Sequence, residues 1–415
     1  MGETGNNMEL KEKFYLNKIK QDELEMVLLS YFGRGSGPYE GKSLYHKEET
    51  DYDFSVTIFY DPKGKIRSIE NGSKLSEKDI NEIQQRIQDE LIDAQDVMVG
   101  RDICFVTGSK AEEYFTYKDL FQILPMPSGA PQIENQMWGH HPILLEYKYI
   151  SSKNAQVNAF RKNKKSRELI TLLHLLSQRR FYGPSRFGQF DWVVINNEDI
   201  EMTTSEFKQM GYFYGKKFQA DNSFSSTKHI RDLEFGKSKS NELTLVEDAS
   251  KLLDIIFTLD TDDYPKFITS CYWLYTASEV WKTSHSVSYV CLVTSIECLM
   301  NDVEKCKCGS ALTDKSIEKC DICGEPKYRL GKSFKDFLEK YSNEEYSKLS
   351  KEEKSYIYDI RSTMLHGEKV FARDFEPMGF LGYQKSYEDA FHRAISNLVF
   401  RALINWLSSK PKSVL

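Results

Sequence analysis

From Leu243 to the C-terminus, apolar residues recur at helical spacing in almost every stretch, and this constrains the fold more than any other feature of the chain. Leu245–Thr258 and Tyr264–Lys282 each read as a helix with one apolar face. Val287–Val303 is apolar on most sides, which predicts a buried helix, and Ser333–Tyr341 predicts a short one. Ser350 with Glu353 forms a capping box opening a helix through His366, and Gly367 is placed to stop it. Ser386 with Asp389 is expected to open the last helix, whose Ile395, Leu398, Val399, Ala402, Leu403 and Trp406 face a core. Helices that each carry an apolar face bury those faces against one another, so a bundle is expected.

The first half has a different pattern. Asp53–Tyr60 alternates apolar and polar residues, Asp61-Pro62-Lys63-Gly64 turns it, and Lys65–Glu70 completes a hairpin. Ser76 and Asp79 suit a helix N-terminus, with Ile80, Ile83, Ile87 and Leu91 along one face. Further strands are predicted at Met98–Thr107, Pro142–Ile150 and Asp191–Asn196, and a helix over Ser166–Gln178 buries Leu169, Leu172, Leu173 and Leu176. No regular βα alternation and no internal repeat is present, so this half reads as α+β. At 415 residues the chain exceeds one ordinary core. The expected organisation is multi-domain: an α+β sensor or regulatory domain over residues 1–219, a Ser-, Lys- and Asn-rich linker over 220–241, and an all-α bundle over 242–415.

Residues Met1 to Lys11 lack the apolar core of a signal peptide, and Val287–Met300 is too short and too polar to span a bilayer. A soluble, cytoplasmic protein without membrane contact is expected, with its eight cysteines reduced. Four of them form two knuckles, Cys306-Lys-Cys308-Gly309 and Cys320-Asp-Ile-Cys323-Gly324, within an insertion at 305–326. Each pair puts two thiolates within reach of one tetrahedral ion, and four sulfur ligands close the sphere, so structural Zn2+ is expected. Lys305, Lys307, Lys315 and Lys327 leave open a nucleic-acid contact there. Cys104, Cys271, Cys291 and Cys298 lie in apolar surroundings and read as core.

A net charge of -6 argues against uniform nucleic-acid binding, leaving local patches to be weighed. Arg161, Lys162, Lys164, Lys165 and Arg167, followed by Arg179 and Arg180, form a basic run that reads either as a solvated face or as an electrostatic path for RNA. Gly33-Arg-Gly-Ser-Gly37 lacks the Lys-Ser/Thr of a phosphate loop and is expected to be a flexible connection. His140 and His141 have no metal-ligand spacing, and His174 on the Leu-rich helix reads as packed. This half shows no catalytic constellation.

The sharpest chemistry lies in Tyr356-Ile-Tyr-Asp-Ile-Arg361-Ser-Thr-Met-Leu-His366-Gly367. Histidine exchanges a proton near neutral pH and suits acid–base work on a ribose hydroxyl or a leaving oxygen. Arginine is a permanent cation whose planar fork matches phosphate oxygens. Ser362 stands one helical turn before His366, within reach as a polar orienter or second phosphate contact. Spacing alone also fits a surface arginine and a helix-capping histidine.

In Tyr358-Asp-Ile-Arg-Ser-Thr-Met-Leu-His-Gly367, in the buried stretch Tyr289-Val-Cys-Leu-Val-Thr-Ser-Ile-Glu297-Cys-Leu, and in the terminal amphipathic helix, the chain resembles the HEPN superfamily, most closely its Apea-like branch. The resemblance covers about 170 residues and not the N-terminal half. It implies a metal-independent endoribonuclease in which the ribose 2′-hydroxyl attacks the adjacent phosphate. It also implies a homodimer or higher even oligomer whose Arg and His residues meet in a shared cleft, and a place in anti-phage (abortive infection) defence with a phage-derived trigger. By position, Arg361 and His366 are then the catalytic pair. Ser362 stands where many members have Asn, and Glu297 matches an acidic residue that either supports Arg361 or satisfies a buried polar position. Asp359 joins it as a supporting residue. Two other readings are a non-catalytic dimer that binds RNA or a nucleotide, and a toxin held by a partner protein.

Overall fold

The computed structural model describes residues 20–36, 39–47, 55–62, 64–71, 76–92, 96–111, 113–125, 132–133, 140–182, 194–195, 201–202, 226–227, 242–281, 283–300, 320, 322–324, 330–342, 346–367, 369–375 and 383–410. The chain divides into two compact units, residues 1–100 with 147–166, and residues 101–146 with 167–415.

The first unit packs two helices on a four-stranded antiparallel sheet. Helix α1 (Gln21–Phe32) leads through Gly33, left-handed at φ 82°, into β1 (Gly33–Gly35). The glycine-rich stretch expected to be a loose connection therefore begins as a strand, because the positive φ that ends the helix also starts the pairing of Gly33 with Lys47. β2 (Lys42–Lys47), β3 (Ser55–Tyr60) and β4 (Ile66–Asn71) follow in the order β1-β2-β3-β4. The predicted hairpin is β3–β4, with Ile58 opposite Ile69. Ser76 and Asp79 form a reciprocal capping box on α2 (Glu77–Ile87), and Ile80, Ile83 and Ile87 face the same core as Leu24, Leu28, Phe32, Val56 and Ile58.

The second unit holds β6 (Phe115–Tyr117), β7 (Phe121–Pro125), β10 (Phe181–Tyr182) and the greater part of β5 (Val97–Thr107) and β9 (His140–Ile150), in a sheet of order β10-β5-β9-β7-β6. The pair β8 (Gln132–Ile133) and β11 (Val194–Ile195) joins β12 (Glu201–Met202) in a small separate sheet, and β13 (Ser226–Thr227) pairs with β14 (Leu245–Val246). A buried polar row crosses the large sheet. Gln122 on β7 donates to Glu146 on β9, and Arg101 on β5 holds the other Glu146 oxygen at 2.6 Å. A carboxylate that is 1% exposed requires such partners.

The helices are α3 (Ala155–Ser177), α4 (Ala249–Thr258), α5 (Asp263–Val280), α6 (His285–Glu297), α7 (Leu330–Tyr341), α8 (Lys351–Leu365), α9 (Ala372–Phe375) and α10 (Tyr383–Ser408). α5 packs along α6, and α10 lies against α4, α6 and α7. Sheet and helices share this unit. The Tyr117 hydroxyl donates to Asp254 at 2.8 Å, and its ring stacks on Phe257. The buried ring of His174 on α3 meets Tyr275 of α5 and Phe400 of α10 edge-on. The partition thus differs from the boundary read in the sequence. Most of the expected linker at 220–241 lies outside the described residues, and the Leu-rich end of α3 is buried in the same unit as the bundle because it is apolar around most of its circumference. The last helix opens at Tyr383 rather than at Ser386. Among the described residues, no helix is long and apolar enough to cross a membrane.

Candidate active site

α6 and α8 position the candidate residues. α6 is buried along most of its length and ends at Glu297, the point where it needs a polar neighbour. α8 starts on the expected capping box, with the Ser350 N–H donating to Glu353 at 2.8 Å and the Glu353 N–H to Ser350 Oγ at 3.1 Å. It buries only Ile357 and Ile360, and the Tyr289 hydroxyl of α6 donates to the Ile357 carbonyl, which fixes the two helices in register. It ends as expected, with the His366 N–H on the Ser362 carbonyl at 3.0 Å and Gly367 left-handed at φ 75°.

The structure brings Arg361 and Glu297 together. Arg361 Nη2 donates to Glu297 Oε2 at 2.8 Å, while the Tyr358 hydroxyl lies 3.4 Å from Glu297 Oε1. The guanidinium carbon also lies 5.9 Å from the Tyr358 ring centroid. Burial pushes the Glu297 carboxyl above its ordinary pKa, even though Arg361 and Tyr358 favour the ionised form. α7 backs this group: Phe334 packs on Tyr358 with centroids 5.4 Å apart, and a Cβ on Gly331 would stand 3.0 Å from Tyr358 Cδ1. Among the described residues, Arg361 is held by one nitrogen only. Its Nε is buried with no hydrogen-bond partner among the described residues.

His366 stands exposed at the helix end, and its imidazole makes no hydrogen bond or ion pair among the described residues. Within the chain it therefore does not join the Arg361–Glu297 pair. Ser362 is half-buried and gives its carbonyl, not its hydroxyl, to the His366 N–H. Asp359 is exposed, and its carbonyl accepts from Thr363 Oγ1 at 2.7 Å.

The chain just past His366 is tied down by residues that carry no motif. The Phe371 N–H donates to Ser286 Oγ at 2.7 Å, and Ala372 and Arg373 donate their N–H groups to Glu388. Asp374 accepts from Ser284 Oγ and from the His285 and Ser286 N–H groups, capping α6 from a distant part of the chain. Beneath this strap, Trp281 lies between His285 and His392, and His392 Nε2 lies 2.8 Å from Ser288 Oγ, whose own proton goes to the Ala277 carbonyl. Burial lowers the His392 pKa to about 3. Sequence reasoning missed Tyr358, Asp374 and Glu388. Only Tyr358 left a signal, three residues before Arg361 on one helix face.

No protein-family model, curated protein or solved structure matches the chain.

Of the basic run, Arg161 is used inside the first unit. Its guanidinium grips the buried Glu23 through Nε at 3.2 Å and Nη2 at 2.7 Å, and also donates to the Ser151 and Leu91 carbonyls. Its donors are committed to the fold, which removes it from an RNA-facing surface. Lys164 and Arg167 are exposed, and Lys162 and Lys165 are half-buried on the same helix. For the expected zinc site, Cys306 and Cys308 lie outside the described residues. At the second knuckle, the Gly324 N–H closes onto the Cys320 carbonyl at 2.8 Å with Gly324 at φ 65°, a turn of the kind a thiolate knuckle uses. Cys320 is buried and Cys323 exposed. Cys104, Cys271 and Cys291 are core residues as expected, with Cys298 half-buried.

Proposed function

We propose that this chain is a metal-independent endoribonuclease of the HEPN type, acting as a homodimer or higher even oligomer in anti-phage (abortive infection) defence. The observation that carries the reading is the state of Arg361: a partly exposed guanidinium fixed, among the described residues, by a single bond to Glu297, five residues before an exposed histidine. The Arg361 side chain is 22% exposed, so the outer part of its guanidinium stays within reach of a phosphate oxygen.

In this mechanism Arg361 binds the scissile phosphate and stabilises charge developing on it. An imidazole removes the proton of the ribose 2′-hydroxyl, the O2′–P bond forms, and the P–O5′ bond breaks as a second imidazole protonates the leaving oxygen. Two histidines are needed and one chain supplies one, so the partner subunit's His366 completes the pair. Ser362 stands beside it as a further polar contact. The basic residues Lys162, Lys164, Lys165 and Arg167 remain candidates for steering RNA. Cys306, Cys308, Cys320 and Cys323 would hold structural Zn2+, which supplies rigidity to the insertion and takes no part in the reaction. The remainder of the first half would sense a phage-derived trigger or restrain the helices.

The test is the chemistry of the products in the presence of a chelator. A 2′,3′-cyclic phosphate, a 5′-hydroxyl and complete resistance of RNA carrying a 2′-deoxy sugar at the cut support the reading. Cleavage of the 2′-deoxy substrate, or 5′-phosphate products, would contradict it. A second reading, a non-catalytic dimer that binds RNA or a nucleotide, is favoured by the Arg361–Glu297 pair itself, since that ion pair also satisfies a buried carboxylate without any ligand. It predicts RNA binding with no product.

A further inference from the structure

The end of α8 that carries His366 lies outside the core. Ile360 is the last buried residue of that helix, and among the described residues of 361–370 none is buried. The next buried side chain is Phe371, five residues past His366, so at most about 18 Å of chain separates them. The two anchors of this exposed stretch meet on Tyr289 of α6. Its hydroxyl donates to the Ile357 carbonyl, and its ring meets that of Phe371 edge-on with centroids 5.7 Å apart. Asp374 ties the second anchor to the start of the same helix. Its carboxylate accepts from the Ser284 hydroxyl at 3.0 Å and from the His285 and Ser286 N–H groups at 2.6 and 3.1 Å. Ser286 Oγ in turn accepts from the Phe371 N–H at 2.7 Å, and Glu388 takes the intervening Ala372 and Arg373 N–H groups.

We propose that Asp374 is a positioning residue for His366: by docking residues 371–374 on the first turn of α6, it fixes the exposed stretch whose near end carries the imidazole. This rests on the nuclease reading for what His366 does. Helix ends fray, and the last turn of α8 has no buried side chain to prevent it. A misplacement of about 1 Å can cost a hundredfold in rate, so an acid–base histidine on such an end needs an anchor beyond it. α6 supplies the frame for both residues of the pair. Glu297 at its end holds Arg361, and its first turn holds Asp374, so guanidinium and imidazole are placed against one buried helix. A carboxylate suits this dock because the first turn of a helix has N–H groups without intrahelical acceptors and favours negative charge.

The experiment compares the full-length protein with Asp374→Ala, Asp374→Asn and Ser286→Ala. It reads the maximal single-turnover rate on RNA, the dissociation constant for the same RNA made uncleavable by 2′-deoxy sugars, and backbone hydrogen exchange. Asp374→Ala is expected to lower the maximal rate roughly ten- to hundredfold and to leave the dissociation constant unchanged. Its Leu365 to Phe371 amides should exchange at least about tenfold faster, while Leu292 and Val293 in the middle of α6 keep parental protection. Ser286→Ala leaves the Asp374 carboxylate on α6 and removes only the bond to Phe371, so a smaller loss of the same kind is expected. Asp374→Asn still presents an oxygen to the first turn of α6 and should recover part of the rate. A parental rate in folded Asp374→Ala, from a parent that cuts RNA, overturns the positioning role and leaves the nuclease reading in place. Faster exchange at Leu292 and Val293 in both Asp374→Ala and Ser286→Ala also overturns it, since the bonds would then serve stability alone. A parent that cuts no RNA removes the nuclease reading and the role of Asp374 with it.

Discussion

Arg361 on α8 donates to Glu297 at the end of α6 across 2.8 Å, and this bond orients the residue on which the proposed chemistry depends. The pair is neither fully buried nor open to solvent, so it is worth more than a surface ion pair without carrying the full penalty of buried charges. Among the described residues, the guanidinium makes no hydrogen bond beyond this one.

Glu297→Ala is expected to cost about 1–3 kcal/mol of stability, since it strands a half-buried guanidinium. RNA cleavage should fall at least about tenfold as Arg361 loses its fixed position. Glu297→Gln keeps one amide oxygen to accept from Arg361, with its NH2 turned to donate to the Tyr358 hydroxyl oxygen, and should recover part of both losses. Melting curves and single-turnover rates on the three proteins separate the effects, and equal rates would leave Glu297 with a packing role alone.

Acid should destabilise the protein well before its carboxylates are all protonated. Burial lowers His174 to about 4 and His392 to about 3 from an ordinary 6.5, so each is neutral when folded and binds a proton on unfolding. The stability this preserves is complete above pH 6.5 and declines as pH falls towards those folded values, by about 1.4 kcal/mol per pH unit for each histidine. Denaturant titrations between pH 7 and 4.5 check this. His174→Gln and His392→Gln should each flatten the slope, and an unchanged slope would mean that neither residue is buried neutral.

Zinc content gives a third check. One zinc per chain is expected in purified protein, lost in Cys320→Ser and Cys323→Ser variants. Removing it should lower the melting temperature and leave the cleavage rate of still-folded protein unaffected. A metal-free protein of the same stability would show that the knuckles are not a metal site.

The helices were legible where spacing and caps agreed. Ser350 with Glu353, Ser76 with Asp79, and Gly367 each sit where expected, because a cap is a local contest decided within one turn. The partition into units was not legible. His174 was read as packed, but nothing local says that it packs on Tyr275 and Phe400, residues 101 and 226 positions later. Arg161 misled for a similar reason: in sequence it heads a basic run, and only the fold brings the buried Glu23 to it. The candidate site shows the same division. Arg361, His366 and Glu297 could be named from the chain, whereas Asp374 and Glu388, which anchor the segment after His366, act on backbone N–H groups and leave no pattern.

The most direct measurement is the single-turnover rate of RNA cleavage by the parent protein, Arg361→Ala and His366→Ala, each confirmed folded and of the same oligomeric state. Loss of general acid–base catalysis is worth roughly 10²- to 10⁴-fold, and loss of charge stabilisation about 10²- to 10³-fold. Both variants should therefore cut RNA at least about a hundred times more slowly than the parent. Parent-like rates in either one would contradict the account.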